Sequence, residues 1–221
     1  MKKTIVAGLL LFSTMTILAE TPKEINAALK VGTLGIGFDA STPINETYSV
    51  RVNINGLSYS DTQDSDGNTY DGTLDLFTAG LLLDAYPFQN NFRLSTGVYY
   101  NDNGFSGSVT PLGTQTVEIN GVTYTSTDIT KLNTDVTFNK IAPYLGIGWG
   151  NDAKDKGWGF TFDLGVLYHG EGTASLTTDI NNPALATQIN NGLILEEQNV
   201  NDDLSSFKLY PVVSFGINRS F

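Results

Sequence analysis

The side chains with most chemistry to offer are Asp39, Arg51, Asp75, Asp84, Arg93 and Asp163, charges set in stretches of otherwise alternating apolar residues. Charges enclosed by a sheet must be paired and hydrogen-bonded, since each ion removed from water costs several kcal/mol. Two readings follow. The six groups form a static ion network that fills a polar core, or they line a narrow path and contact a small charged solute.

Other candidates are weaker. His169 is the single histidine, with Glu171 and Ser175 close in sequence. A hydrolase would need a base beside its nucleophile and a third group to orient the base. Strand alternation and an intervening loop do not bring these three together, so the chain is not expected to be an enzyme. The stretch DTQDSDGNTYDG (61–72) places Asp64, Asp66, Asn68 and Asp71 around Gly67, yet lacks the acidic spacing and closing glutamate of a calcium loop. An ordinary solvated turn is expected there. GTLGIG and GIGWG lie inside strands and are not phosphate loops. No metal site and no cofactor is expected.

The elements that position these charges repeat every two residues, the period of a strand with unlike faces. TLGIGFDAS sets Leu34, Ile36 and Phe38 against Gly35, Gly37 and Asp39. YSVRVNING sets Tyr48, Val50, Val52 and Ile54 against Ser49, Arg51, Asn53 and Asn55. FRLSTGVYYN, APYLGIGWG, WGFTFDLGVLYH and YPVVSFGINRSF behave alike. One face is aliphatic, with Tyr48, Trp149, Trp158 and Tyr168 towards its ends. The other carries Gly, Ser, Asn, Asp and Arg, with few long charged chains. A soluble sandwich would reverse this and cover its outside with Lys and Glu. The pattern suits an apolar face turned to lipid, aromatic girdles at both interfaces, and a narrow interior. Hydrocarbon tolerates no open sheet edge, so the sheet must close. The expected fold is all-β: a transmembrane antiparallel up-and-down β-barrel of eight strands.

The chain has 221 residues, with 12 Lys and Arg against 23 Asp and Glu, a formal charge of −11. That balance disfavours nucleic acid as a partner. Cysteine is absent, so neither a lipoprotein anchor nor a disulfide framework is available. MKKTIVAGLLLFSTMTILAE has the basic start and short apolar stretch of a secretory signal peptide, giving residues 1–19 as leader and 20–221 as barrel. Short connectors fall at 41–47, 87–91 and 151–157. Long acidic ones fall near 60–71, 101–135 and 169–205, and should face outside.

Seven strands are clear, and parity asks for an eighth at Lys23–Lys30. Leu74 and Leu76 share one parity, Leu81 and Leu83 the other. A bulge near Thr78–Gly80 would return both pairs to lipid and put Asp75 inside with Asp84. VEINGVTYT (117–125) reads as a hairpin about Asn120-Gly121. Asn182-Pro183 opens a short helix within 182–203, which Gly192 would interrupt.

With the strands placed, NGVTYT, NKIAPYLGIGWG, GWGFTFDLGVLYHGEGTASLTT and the terminal DDLSSFKLYPVVSFGINRSF resemble the CarO-type small outer-membrane proteins. The resemblance implies an eight-stranded barrel concerned with passage of small solutes, including basic amino acids and some antibiotics, without a wide pore. It supplies neither a substrate nor binding residues for this chain. The last strand, ending on Phe221 with Arg219 also on the oily face, resembles the terminal segment that barrel-assembly machinery reads. Expected partners are outer-membrane lipids, that machinery and small solutes. Two functions stay open: a narrow channel or uptake protein for small, cationic solutes, or a plugged structural barrel whose loops do the binding.

Overall fold

The computed structural model describes residues 24–65, 67–150 and 156–221; the expected leader, and most of the 151–157 connector, lie outside them. Eight strands close a ring. They are β1 (Asn26–Gly32), β2 (Gly35–Pro43), β3 (Tyr48–Ser65), β4 (Asn68–Ala85), β5 (Phe92–Asn101), β10 (Ile141–Trp149), β11 (Gly157–Tyr168) and β13 (Leu209–Ser220). Each pairs antiparallel with the next, and β13 closes on β1 from Asn26↔Ser220 to Gly32↔Ser214.

The first strand is Asn26–Gly32, not Lys23–Lys30. In this frame alternation is clean, with Asn26, Ala28 and Lys30 buried and Leu29 and Val31 exposed. Around the ring the outward positions are apolar and open, among them Leu81 at 56% exposure, Leu145 at 69% and Phe160 at 68%. Tyr48, Trp149 and Trp158 lie towards one end of that belt, and Tyr100 and Tyr168 towards the other. Such a belt in water would forgo roughly 25 cal/mol for every Å2 left wet.

Five strands of the wall continue past the rim. β3 and β4 run uninterrupted to Ser65↔Asn68, so 60–65 and 68–71 are strand rather than loop, and Asp66 lies outside the described residues. β4 pairs β5 below and β6 (Gly104–Pro111) above, along the same edge. β9 (Ile129–Thr137) stands likewise over β10, and β12 (Thr173–Ile180) over β11. The result is a half-cylindrical palisade rising from one side of the barrel, where long loops were expected. Breaks at 102–103, 138–140 and 169–172 separate its upper and lower strands.

Over β12, β9 and the upper part of β6, the palisade's concave side is covered by the hairpin β7 (Thr116–Ile119)–β8 (Val122–Thr125) and by α1 (Ala186–Leu204). Asn120 and Gly121 both have left-handed φ, 47° and 75°, as the Asn-Gly turn demands. Asn182 caps a 3-10 turn, Pro183–Leu185, its Oδ1 accepting from Ala184 N at 3.2 Å, and this turn leads into α1. Gly192 does not interrupt the helix. It sits where Ile119 Cγ2 would lie 3.4 Å from any Cβ, so its lack of a side chain lets the hairpin come close. Val117, Ile119, Tyr124, Ile129, Ile189 and Leu193 form this module's own core.

Candidate functional site: a plugged lumen beneath an external module

Inside the barrel the charges stand one per strand and alternate in sign. The order is Lys30 on β1, Asp39 on β2, Arg51 on β3, Asp84 on β4, Arg93 on β5 and Asp163 on β11. The two strands without a charge, β10 and β13, offer glycine. A Cβ on Gly148 would lie 2.7 Å from the Arg93 guanidinium, and one on Gly216 would lie 2.7 Å from Cγ of Lys30. These glycines make room for the long cationic chains.

Pairing is dense. Arg51 donates to Asp84 through Nε at 2.7 Å and Nη2 at 2.8 Å, a two-pronged bond, and through Nη1 to Asp39 at 3.1 Å. Lys30 Nζ lies 2.6 Å from Asp39 and 3.1 Å from Asp163. Arg93 Nη2 donates to Asp163 at 2.6 Å, and Nη1 to the Gly150 carbonyl. Asn53 donates to Asp39, and Ser95 Oγ to Asp84 at 2.5 Å. Three cations meet three carboxylates, and all six residues are buried. Burial of this kind is tolerable only with nearly every lone pair answered.

The structure brings the expected Asp39, Arg51, Asp84, Arg93 and Asp163 together inside the ring, and adds Lys30, whose signal was the alternation of NAALKVG. Asp75 is a correction. The β3–β4 ladder holds one register from Tyr48↔Ala85 to Ser65↔Asn68, with no bulge at Thr78–Gly80. Asp75 therefore lies on the outward face, exposed, accepting from Ser58 Oγ at 2.5 Å. Leu74 and Leu76 take the inward face instead, because at their height the wall has left the barrel.

Above the charges lies an apolar collar that the polar-interior expectation did not foresee: Leu34, Leu82, Tyr99, Ala142, Tyr144, Leu167 and Val212. Leu34 was expected on the oily outer face, but it occupies the β1–β2 turn and folds inward, 6% exposed. Tyr99 and Tyr144 meet edge to face, ring centroids 5.6 Å apart. Their rings lie against Gly80, Gly146 and Gly165, where a Cβ would come within 2.7 Å of them. Between collar and charge belt remains a cavity of about 10 Å3, room for about one water.

His169 is at the rim, buried, its ring against Phe138 with centroids 4.2 Å apart and against Tyr210 at 6.1 Å. Burial pushes its pKa below the ordinary 6.5. Glu171 is occupied by Lys208 at 2.7 Å, and Ser175 is exposed on the palisade's convex face. No hydrogen bond joins the three among the described residues. The would-be calcium stretch is a strand ladder, in which Thr69 bonds Asp64 at 2.7 Å and Thr62 bonds Asp71 at 2.7 Å. Arg219 points outward, its guanidinium 5.4 Å from the Trp158 ring centroid and 5.0 Å from that of Phe221.

In the external module α1 guards the free edge of β12. Asn201 accepts from the Ala174 N–H at 2.7 Å and donates to its carbonyl at 3.3 Å, and Glu197 accepts from the Leu176 N–H at 2.9 Å. Two side chains one helical turn apart thus stand in for a neighbouring strand. Asp128 joins the end of the hairpin to the start of the helical segment, its carboxylate held below the usual range by the Thr125 N–H, the Thr125 hydroxyl and Asn182.

No family model matches the sequence, and no curated protein matches it. Solved structures do, two CarO crystal structures among them. The crystal structure of Acinetobacter baumannii CarO2 aligns with a TM-score of 0.59 and 22% identity, over 90% of this chain and 99% of the other. That of Acinetobacter baumannii CarO aligns with a TM-score of 0.58 and 23% identity, over 89% and 97%. This chain has the fold of the CarO β-barrels, the resemblance that IAPYLGIGWG and its flanking strands carry in sequence.

Proposed function

We propose that the chain is an integral outer-membrane barrel whose lumen is closed at rest and whose external module is its working part. The observation that carries this is the double closure: a neutral belt of paired charges under an apolar collar, with space between for about one water. The membrane placement is supported by the ring of outward aliphatic side chains between aromatic ends, which only hydrocarbon would accommodate. Outer-membrane lipids are then its surroundings, and the strand ending at Phe221 is the segment that assembly machinery would read.

The module offers a surface for contact. On the concave side of β3, β4 and β6, which hairpin and helix leave uncovered, Leu57, Tyr59, Tyr70, Leu74 and Phe105 stay between 37% and 45% exposed. This apolar hollow is where a partner or small apolar solute would dwell.

Passage of small solutes is the second reading, favoured by the gap between the two closures, which Lys30, Arg51 and Asp163 help to line. It requires collar and belt to part. The test is flux through liposomes containing the purified protein, using small neutral and basic amino acids, together with conductance in planar bilayers. The closed-lumen reading expects neither. Steady solute-selective flux from the unaltered protein would overturn it in favour of uptake.

A further inference from the structure

The palisade's convex face continues the lipid-facing wall, and its composition changes within one rung. At Gly56↔Phe77 the outward side is still apolar; at Ser58↔Asp75 it is polar, and it stays so to the top. The next rung crosses all five strands as Ser60, Thr73, Ser106, Asp135 and Ser175. The rungs on either side repeat the mixture of Ser, Thr, Asn and Asp. Among the described residues Lys131 is the one long charged side chain on this face.

An ordinary solvated sheet face is dressed in Lys, Glu and Arg, which keep neighbours at a distance. Here the side chains are short and lose little rotamer freedom on contact. They are also already set by one another. Ser60 Oγ and Thr73 Oγ1 are 3.0 Å apart, and Ser108 Oγ donates to Asp71 at 3.3 Å. The outcome is a low array of hydroxyls and carboxylates, spaced about 4.8 Å across strands and about 7 Å along them.

We infer that this face is a docking surface for the saccharide headgroups of glycolipid in the surrounding outer leaflet. The inference rests on the membrane reading above. Location argues for that occupant, because the hydroxyl face begins where the apolar wall stops and so stands beside whatever rises from the adjacent lipid. Chemistry argues likewise. Ser and Thr hydroxyls both donate and accept, as sugar hydroxyls do, and Asp135 and Asp71 accept from them. Charge decides against phosphate as the main contact, since the carboxylates outnumber the lone lysine.

The absence of cysteine makes the test direct. Single variants Ser106→Cys and Ser175→Cys report on the convex face, Asn190→Cys on the exposed side of α1, and Leu145→Cys on the lipid-facing wall. Each is labelled with a hydrophilic maleimide in nanodiscs of phospholipid plus lipopolysaccharide carrying its core sugars. Each is labelled again in discs where the glycolipid is sugar-free lipid A. The expected result is several-fold slower labelling at Ser106→Cys and Ser175→Cys in the saccharide discs only, with Asn190→Cys unchanged. Equal rates in both discs, or equal slowing at all three sites, would overturn the proposal, the second outcome meaning crowding without contact. Leu145→Cys should be protected in both discs. Rapid labelling there sinks the membrane reading itself, which separates the two failures.

Discussion

The barrel and the palisade are built from the same wall, yet they are opposite in polarity. Along β4 the inward face runs from Asp84 through Leu82, Thr78 and Leu76 to Leu74, and the outward face from Leu83 and Leu81 through Phe77 to Asp75 and Thr73. Below, ions are enclosed and aliphatic chains look out. Above, the apolar set faces the concave hollow beside α1 and the β7–β8 hairpin, and hydroxyls and carboxylates look out. A single strand with unbroken register reverses its polarity because its surroundings change along its length. The lower outer face suits hydrocarbon and the upper one water. The two cores are therefore held differently: one by directional ion pairs that fail abruptly when broken, the other by apolar packing that weakens by degrees.

The sharpest way to break that contrast is to unpair the lumen. Arg51→Ala removes the donor that joins Asp39 and Asp84 and leaves both carboxylates under-answered. A loss of about 3–5 kcal/mol is expected. Urea unfolding in detergent should register it, together with heat-induced loss of the compact band on electrophoresis, while exchange protection in the β7–β8 hairpin stays close to wild type.

Ile119→Ala, in the fully buried hairpin position, is the converse. It should cost about 3 kcal/mol of local stability, read as faster hydrogen exchange in α1 and the hairpin with barrel unfolding unmoved. If barrel and module lose stability together in either variant, they form one cooperative unit and the contrast is wrong.

Two smaller changes sharpen it. Gly148→Ala crowds the Arg93 guanidinium against a fully occupied interior, and about 2 kcal/mol of barrel destabilisation is expected from overpacking. Asn201→Ala unsatisfies one N–H and one carbonyl on the β12 edge. A cost of about 1–2 kcal/mol, confined to exchange at Ala174 and along α1, would mark the helix as edge guard.

The smallest effect concerns the joint between the regions. His169 is buried uncharged, and its folded pKa lies below the unfolded 6.5. Its neutral form thus contributes stability that is complete above about pH 6.5 and is lost as pH falls through the lower folded value. Melting followed from pH 7.5 downward should decline in that window for wild type, and His169→Phe should flatten the slope.

Much of the barrel was legible because a closed wall with a polar inside and an apolar outside carries a strict two-residue period. Where that constraint ended, reading failed. GFSGSVTP and ITKLNTDVT are strands whose outward residues are mostly polar and whose apolar residues are sparse, so their composition resembles loop. Asp75 was misplaced by carrying the lipid rule one rung too high and inventing a bulge to preserve it. Lys30 was missed because the expected first strand ended on it, so that its inward place in the alternation of NAALKVG went unread. Leu34 was misassigned because turn residues do not obey strand alternation.

The sequence alone determined that the sheet closes and which face is apolar and turned outward, since strict alternation over short segments gives every strand one apolar and one polar side. It also put five charges of the lumen belt on inward parity, because side-chain direction in a strand follows residue number. Tertiary structure decided who pairs with whom, as the partners lie on different strands and meet only across the ring. It decided too that a collar seals the lumen and that half the wall grows into a palisade, for both depend on where strands far apart in the chain come to lie at one height.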